Sequence, residues 1–296
     1  MVGGKGEWSP GKLRRVLREH AGLDVVAVRA AGGESRCAFW VTDRTGAVSV
    51  LKIMPDAPPE VAGQLHALNA TLARLRDRGY PAPRLTAIGQ VPGLVFWVQQ
   101  RMPGRPLEGH GGVVARLLPD LLRLNDAQAG LGTGPSGWRS LITRTLTVGG
   151  DGYCVHSTLA GSPEARDLLP ELRRIGDRCC PAIPDGEDFV HYDFTPANLL
   201  CDGNAITGVI DVNPLTLAGD RAFDLATMLF YYYDRDEIRG PLRGRLLDLA
   251  GSRAAAAYLA HMVLRQVDWS LRYHPAAIAT QRHLRLARAI IADIKP

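Results

Sequence analysis

The chain has 296 residues, 46% apolar and 22% charged, with a formal net charge of +5. That is ordinary globular composition, long enough for two lobes, and no run reaches the roughly 18–20 apolar residues of a membrane span. The arginines are scattered along the chain, so the positive charge by itself indicates no nucleic-acid partner.

The N-terminus lacks an apolar signal core, and Cys37, Cys154, Cys179, Cys180 and Cys201 form no C-x-x-C pair. An odd number of such thiols reads as free cysteines in a reducing cytoplasm. In chain order, a first helix is expected from Ser9-Pro10, an N-cap and first-turn pair, with Leu13, Val16 and Leu17 on one face. Strands follow at 25–29, 37–42 and 47–54, with Ala30-Ala-Gly-Gly-Glu-Ser-Arg36 between the first two. Glycines let backbone N–H groups approach phosphate oxygens. Gly32-Gly33 departs from G-x-G-x-x-G, however, and a glycine pair alone is more often a turn. Lys52 shares a strand face with Val48 and Val50. It either lays its stem past a core edge or reaches an anion in a cleft. The other lysines, Lys5, Lys12 and Lys295, lie near the termini.

Residues 58–78 read as a helix carrying Val61, Leu65, Leu68, Leu72 and Leu75. Strands at 81–85, 86–90 and 94–102 complete an N-terminal sheet. The last runs into Met102-Pro-Gly104, which marks either a lobe boundary or an edge strand meeting a turn. Beyond it come a helix over 113–130 bent at Pro119, a Gly/Ser/Thr-rich segment over 131–163 with little periodicity, and a helix over 163–180 interrupted at Pro170. Asp220 and Asp224 open an apolar helix through Tyr233, where an acidic pair suits the helix dipole. Two further helices span 252–273 and 276–294. Asp234, Asp236 and Glu237, with Asp268 inside a helix, read either as a solvated turn and an exposed helical charge or as carboxylates for a cationic ligand.

The strongest signal is Phe189-Val-His-Tyr-Asp-Phe-Thr-Pro-Ala-Asn-Leu-Leu-Cys201 followed by Ile206-Thr-Gly-Val-Ile-Asp-Val-Asn213. Asp202-Gly203 between apolar runs signals a hairpin. It would hold His191, Asp193 and Asn198 on one side and return Asp211 beside them. Two carboxylates and an amide oxygen suit a hard divalent cation and a proton acceptor. Taken singly, each of these residues could equally cap a turn.

The spacing His-x-Asp-x-x-x-x-Asn with a second Asp a hairpin later matches the kinase catalytic loop. In its detail, with Ile-Asp-Val in place of Asp-Phe-Gly, the stretch resembles the aminoglycoside phosphotransferase and choline kinase family, small-molecule relatives of protein kinases. The resemblance spans roughly residues 20–290. It implies an α+β, bilobal protein-kinase-like fold, with a small antiparallel-sheet lobe over 1–102 and a larger, mostly helical lobe over 103–296. It implies ATP or GTP and Mg²⁺, with Asp193 as catalytic base, His191 bracing the loop, Asn198 and Asp211 on the metal, and Asp224 a buried support. Lys52 would meet the α/β-phosphates, Gly33 and Ser35 would contact phosphate through the backbone, and main-chain groups near Gln100 and Met102 would read adenine.

One departure stands out. The helix glutamate that pairs with the strand lysine in this family would fall near Leu68 or Asn69, neither of them acidic. Glu60 is the only acid at the start of that helix. The resemblance also implies a cationic small-molecule acceptor, an aminoglycoside or a tuberactinomycin-type peptide, held by Asp234, Asp236, Glu237 and Asp268. A metabolite kinase for choline, ethanolamine, a sugar or homoserine, and a catalytically silent nucleotide-binding module, are the alternatives. A monomer or weak homodimer, acting on neither membrane nor nucleic acid, is expected.

Overall fold

The computed structural model describes residues 8–32, 37–108, 111–133, 137–212 and 218–294. They divide into two compact units, Met1–Gly104 with Thr207–Ile210, and Arg105–Ile206 with Asp211–Pro296. No helix among the described residues is long and apolar enough to cross a membrane.

The first unit begins with α1 (Pro10–Ala21), where the Ser9 hydroxyl accepts from the Lys12 N–H and Gly22 closes the helix at φ 64°. Strands β1 (Val25–Ala30), β2 (Ala38–Asp43) and β3 (Val48–Pro55) lead to α2 (Val61–Asp77), then β4 (Leu85–Val91) and β5 (Leu94–Gln100). The five strands form an antiparallel sheet in the order β1-β2-β3-β5-β4. Alternation along each strand gives the sheet two apolar faces. Leu13, Val16 and Leu17 of α1 cover one, packing on Val28, Phe39, Val41, Leu51, Ile53 and Phe96. Val61 and Leu65 of α2 cover part of the other, against Val95 and Trp97. Each such side chain contributes roughly 1.5–3 kcal/mol of gross apolar burial.

The strand expected at 81–85 does not form. Pro81 and Pro83 have no N–H to give a ladder, and the segment turns on itself through the Ala82 N–H donating to the Tyr80 carbonyl, 2.8 Å.

The second unit starts with β6 (Arg105–Pro106), α3 (Gly111–Arg116) and α4 (Leu118–Ala127). The single helix expected over 113–130 is thus two. Pro119 cannot donate back to the preceding turn, so the chain restarts a helix with that proline in its first turn. The 131–163 segment contains α5 (Trp138–Thr147) and α6 (His156–Gly161) rather than continuous loop. Its buried positions Trp138, Ile142, Thr145 and Leu146 do repeat with helical period; interspersed Ser and Thr obscure the pattern. α7 (Leu168–Cys179) begins five residues later than expected, which leaves Pro170 harmlessly in its first turn.

Then come β7 (Asp188–Phe189), β8 (Leu199–Cys201), β9 (Ile206–Val209, counted with the first unit from Thr207 on), β10 (Ala218–Gly219), α8 (Ala222–Tyr231), α9 (Asp236–Tyr273) and α10 (Ile278–Asp293). β7 pairs with β10, and β6 pairs with β8. α9 is broken at Gly251, φ 71°. Its second half, which lies within the expected 252–273 helix, is buried almost without interruption from Ala254 to Leu264. The acids read as a possible solvated turn partly belong to the start of α9, whose first turn holds Asp236 and Glu237.

Candidate active site

The candidate residues His191, Asp193 and Asn198 sit in the second unit, between β7 and β8, and their loop is tied down from below by Asp224 in the first turn of α8. Asp224 is fully buried. Its Oδ2 accepts from the His191 backbone N–H at 2.8 Å and from Gln128 Nε2 at 2.7 Å, and its Oδ1 accepts from the Tyr192 N–H at 3.0 Å. Gln128 is oriented in turn by Asn125, whose Nδ2 donates to Gln128 Oε1 and to the Arg221 carbonyl, both 2.8 Å. Burial raises the Asp224 pKa, and His191 with the donated hydrogen bonds pulls it back. A carboxylate in such a place needs every one of these donors.

Its neighbour Asp220 is also buried. It accepts from the Tyr258 hydroxyl at 2.8 Å and the Ala222 N–H at 2.9 Å, which makes it more than a surface cap. The floor of the loop is aromatic. Phe223 stacks on Tyr192 at 5.2 Å, and Trp138 meets both edge-on. The His191 ring is buried and meets Phe194 edge-on at 5.9 Å.

Above this floor, Asp193 keeps 39% of its side chain exposed. Asn198 Nδ2 donates to Asp193 Oδ2 at 2.7 Å and to the Asp193 carbonyl at 2.9 Å. The amide nitrogen of Asn198 is thereby spent on two acceptors, which turns Oδ1 away as the atom left for a cation. On the opposite oxygen, Arg265 Nη2 donates to Asp193 Oδ1 at 2.6 Å while Nη1 donates to the Tyr192 carbonyl at 2.5 Å. The sequence pattern gave no hint of Arg265, Gln128 or Tyr192.

Asp211 follows β9 with an exposed side chain and a left-handed backbone, φ 66°, and Tyr192 is left-handed too, φ 70°. Among the described residues no three His, Cys, Asp or Glu side chains cluster as a metal site. A set of one amide oxygen and one carboxylate suits Mg²⁺, which takes its remaining ligands from phosphates and water.

In the first unit, Lys52 lies on β3 directly opposite Ala38 and Trp97. On the same face Trp40 stands opposite Val50, and Thr42 opposite Val48. A cavity of about 510 Å³ is lined by Ala27, Arg29, Trp40, Thr42, Val48 and Arg101, with the Arg101 guanidinium 5.3 Å from the Trp40 ring. Trp40 and Arg101 are therefore further candidates for nucleotide contact. The Gln100 N–H donates to the Arg84 carbonyl at 2.8 Å, and Met102 is half-buried just beyond β5. Glu60 is exposed immediately before α2. Leu68 is buried, and Asn69 exchanges hydrogen bonds with the Leu85 backbone at 3.4 and 3.5 Å. Gly33 and Ser35 lie outside the described residues.

Three of the four acids considered for a cationic acceptor have arginine partners from this chain. Arg282 donates to both carboxylate oxygens of Asp234 at 2.8 and 3.1 Å, and Arg239 pairs with Asp236 at 2.6 Å. Asp268 is fully buried rather than an exposed helical charge, and Arg272 Nη2 donates to its Oδ2 at 2.6 Å. Arg272 also donates to the Gly152 carbonyl at 2.9 Å. The adjoining Tyr153 meets Tyr192 hydroxyl to hydroxyl at 2.7 Å. Glu237 is exposed in the first turn of α9.

The family model described as the phosphotransferase enzyme family matches residues 26–261. No curated protein matches the chain. Among solved structures, the aminoglycoside phosphotransferase APH(4)-Ia is 22% identical, covering 95% of this chain and 96% of its own, with a TM-score of 0.61. A putative fructosamine-3-kinase from Haemophilus somnus is 14% identical over 95% of this chain and 96% of its own, TM-score 0.55. The aminoglycoside phosphotransferase APH(3'')-Id from Streptomyces rimosus, solved with ADP and streptomycin, is 14% identical over 77% and 90%, TM-score 0.54. At these identities the likeness is one of fold.

Proposed function

Since the chain belongs to the phosphotransferase enzyme family, and so is a small-molecule phosphotransferase, we propose that it moves the γ-phosphoryl group of Mg-ATP or Mg-GTP to a hydroxyl of a cationic antibiotic. The observation that carries this reading is the half-open Asp193 carboxylate, held at one oxygen by Asn198 and at the other by Arg265. Each oxygen keeps lone-pair capacity for an acceptor hydroxyl.

In that reaction Asp193 takes the acceptor's hydroxyl proton as the acceptor oxygen bonds to phosphorus. The bond from phosphorus to the bridging oxygen breaks, and the nucleoside diphosphate leaves. A bound Mg²⁺ supplies charge neutralisation on the phosphates, held by Asn198 Oδ1 and Asp211. Lys52 meets the α/β-phosphates, with Glu60 as its acidic partner. Backbone N–H groups at Gly33 and Ser35 contact phosphate, main-chain groups at Gln100 and Met102 meet the base, and His191 braces the loop. Positioning and electrostatics provide most of the acceleration in this chemistry.

For the acceptor, Asp234, Asp236, Glu237 and Asp268 are the proposed contacts, and phosphorylation would amount to resistance. A second reading, a neutral or metabolite alcohol such as a sugar, choline or homoserine, is favoured by the arginine already paired with each of Asp234, Asp236 and Asp268. The test is mass gain of about 80 Da, one phosphoryl group, across aminoglycosides, tuberactinomycins, choline, sugars and homoserine with Mg-ATP, using Asp193→Asn protein as blank. Gain on an antibiotic alone supports the first reading, and gain on a metabolite alone replaces it with the second. No gain on any acceptor, with Mg-ATP bound, removes both.

A further inference from the structure

Resting on the reading of Asp193 as the base, we infer that Arg265 is the residue that aims it, a positioning residue supplied by α9 from 72 positions further along the chain. Its planar fork spans two acceptors of different kinds, the Asp193 carboxylate at 2.6 Å and the Tyr192 main-chain carbonyl at 2.5 Å. One rigid group therefore fixes both the carboxylate and the stretch of backbone that carries it, which a lysine's single ammonium would not do. The guanidinium carbon also lies 5.0 Å from the centre of the Tyr192 ring, a cation–π contact. Tyr192 is in turn stacked on Phe223 and bonded through its N–H to Asp224.

The loop is thus clamped between two helices, α8 from beneath through Asp224 and α9 from the side through Arg265. A carboxylate gripped by Asn198 on one oxygen and Arg265 on the other cannot rotate about its Cβ–Cγ bond without losing a charge-assisted bond.

Arg265 is well placed to hold that grip. It continues the buried face of α9 after Ala254–Leu264, and only 17% of its side chain is exposed. Burial works against its charge, but the Asp193 carboxylate and the neighbouring phenols more than compensate, and its pKa is raised.

The experiment compares wild type, Arg265→Ala, Arg265→Lys, Asp193→Asn and the Arg265→Ala/Asp193→Asn double variant. ADP release from Mg-ATP is followed with water and with each acceptor of the panel above, alongside calorimetric binding of Mg-ADP and thermal melting. Arg265→Ala should lose about 100-fold in turnover, a typical loss when a reacting group is misplaced, while Mg-ADP affinity stays within about twofold. Millimolar guanidinium chloride should restore part of that loss, and Arg265→Lys should retain more activity than Arg265→Ala. In the Asp193→Asn background, removing Arg265 should cost nothing further, because the two act as one unit.

Wild-type turnover in folded Arg265→Ala protein overturns the inference, as does a loss that multiplies onto that of Asp193→Asn. If neither Arg265 variant folds, its role is structural and the inference falls. Failure of the underlying reading looks different: Asp193→Asn would itself turn over at the wild-type rate, or wild type would release no ADP while binding Mg-ADP.

Discussion

Replacing Asp224 by Asn removes a charge and one acceptor but almost no volume, so its effect isolates the hydrogen bonds beneath the catalytic loop. The carboxylate accepts three donors, two on Oδ2 and one on Oδ1. An asparagine that keeps its oxygen towards His191 and Gln128 must turn its own NH₂ towards the Tyr192 N–H, leaving two donors face to face. Losing a charge-assisted bond costs about 1.5–3 kcal/mol, and the unpaired buried N–H adds about 1–3 kcal/mol. Against this, the variant no longer buries a carboxylate whose pKa is raised by burial, which offsets part of the penalty. A net destabilisation of about 2–3 kcal/mol corresponds to a Tm lower by about 4–12 °C for a unit of this size. Asp224→Ala, which orphans all three donors, should fall further. Turnover should drop more than stability, about 100-fold at a temperature where both proteins are folded, because the Tyr192 N–H anchor lies next to Asp193. Differential scanning calorimetry and ADP release at 20 °C check both. An Asp224→Asn protein melting within 1 °C of wild type (about 0.3 kcal/mol by the same scaling) and turning over normally would refute the brace.

Three other outcomes follow from the geometry. Asp211→Asn should weaken Mg-ATP binding about tenfold, a typical loss for a carboxylate acting on a metal, measured by calorimetry with and without Mg²⁺; unchanged affinity would remove Asp211 from the metal set. In Gly219→Ala the new Cβ would lie 2.6 Å from the Trp138 ring and 3.0 Å from Val190. Trp138 is 1% exposed and cannot move aside, so overpacking of about 1–3 kcal/mol should appear in denaturant titration. His283 is buried against Phe230 and Tyr231, accepts or donates at Ser270 Oγ, 2.8 Å, and has its pKa lowered to about 4 by burial and by Arg282. The unfolded chain takes up a proton below its ordinary value near 6.5 while the folded chain does not, so stability is complete above that pH and is lost as pH falls towards 4. The loss is on the order of 3 kcal/mol, and His283→Phe should flatten the fall of Tm between pH 7 and 4.5.

The antiparallel sheet and the helical part were legible because they are written in short-range signals. Ser9-Pro10 starts α1, alternating apolar residues give the sheet, and the spacing from His191 to Asn198 gives the loop. What escaped was whatever depends on long-range neighbours. Arg265 lies mid-helix in an arginine-rich chain, and nothing local distinguishes it from a solvated charge. That it continues the buried stretch Ala254–Leu264, which includes His261, shows only in the structure. Asp268, three positions on, is likewise buried. The prolines misled in opposite directions: Pro119 split a helix expected merely to bend, and Pro170 interrupted nothing because the helix starts only two residues before it. In α5 the helical repeat of Trp138, Ile142 and Leu146 was present but masked by hydroxyl residues.

The left-handed backbone at Asp211 carries a warning for protein engineering. At φ 66° the backbone is one that glycine adopts freely and most L-residues avoid, Asp less than most. A scheme that ranks substitutions by backbone strain alone would therefore favour glycine at 211, and a library chosen on that basis would drift the same way. Under the proposed reading, such variants would have relaxed the backbone by discarding a metal ligand, and the selection would have to be coupled to a nucleotide-dependent screen to keep it.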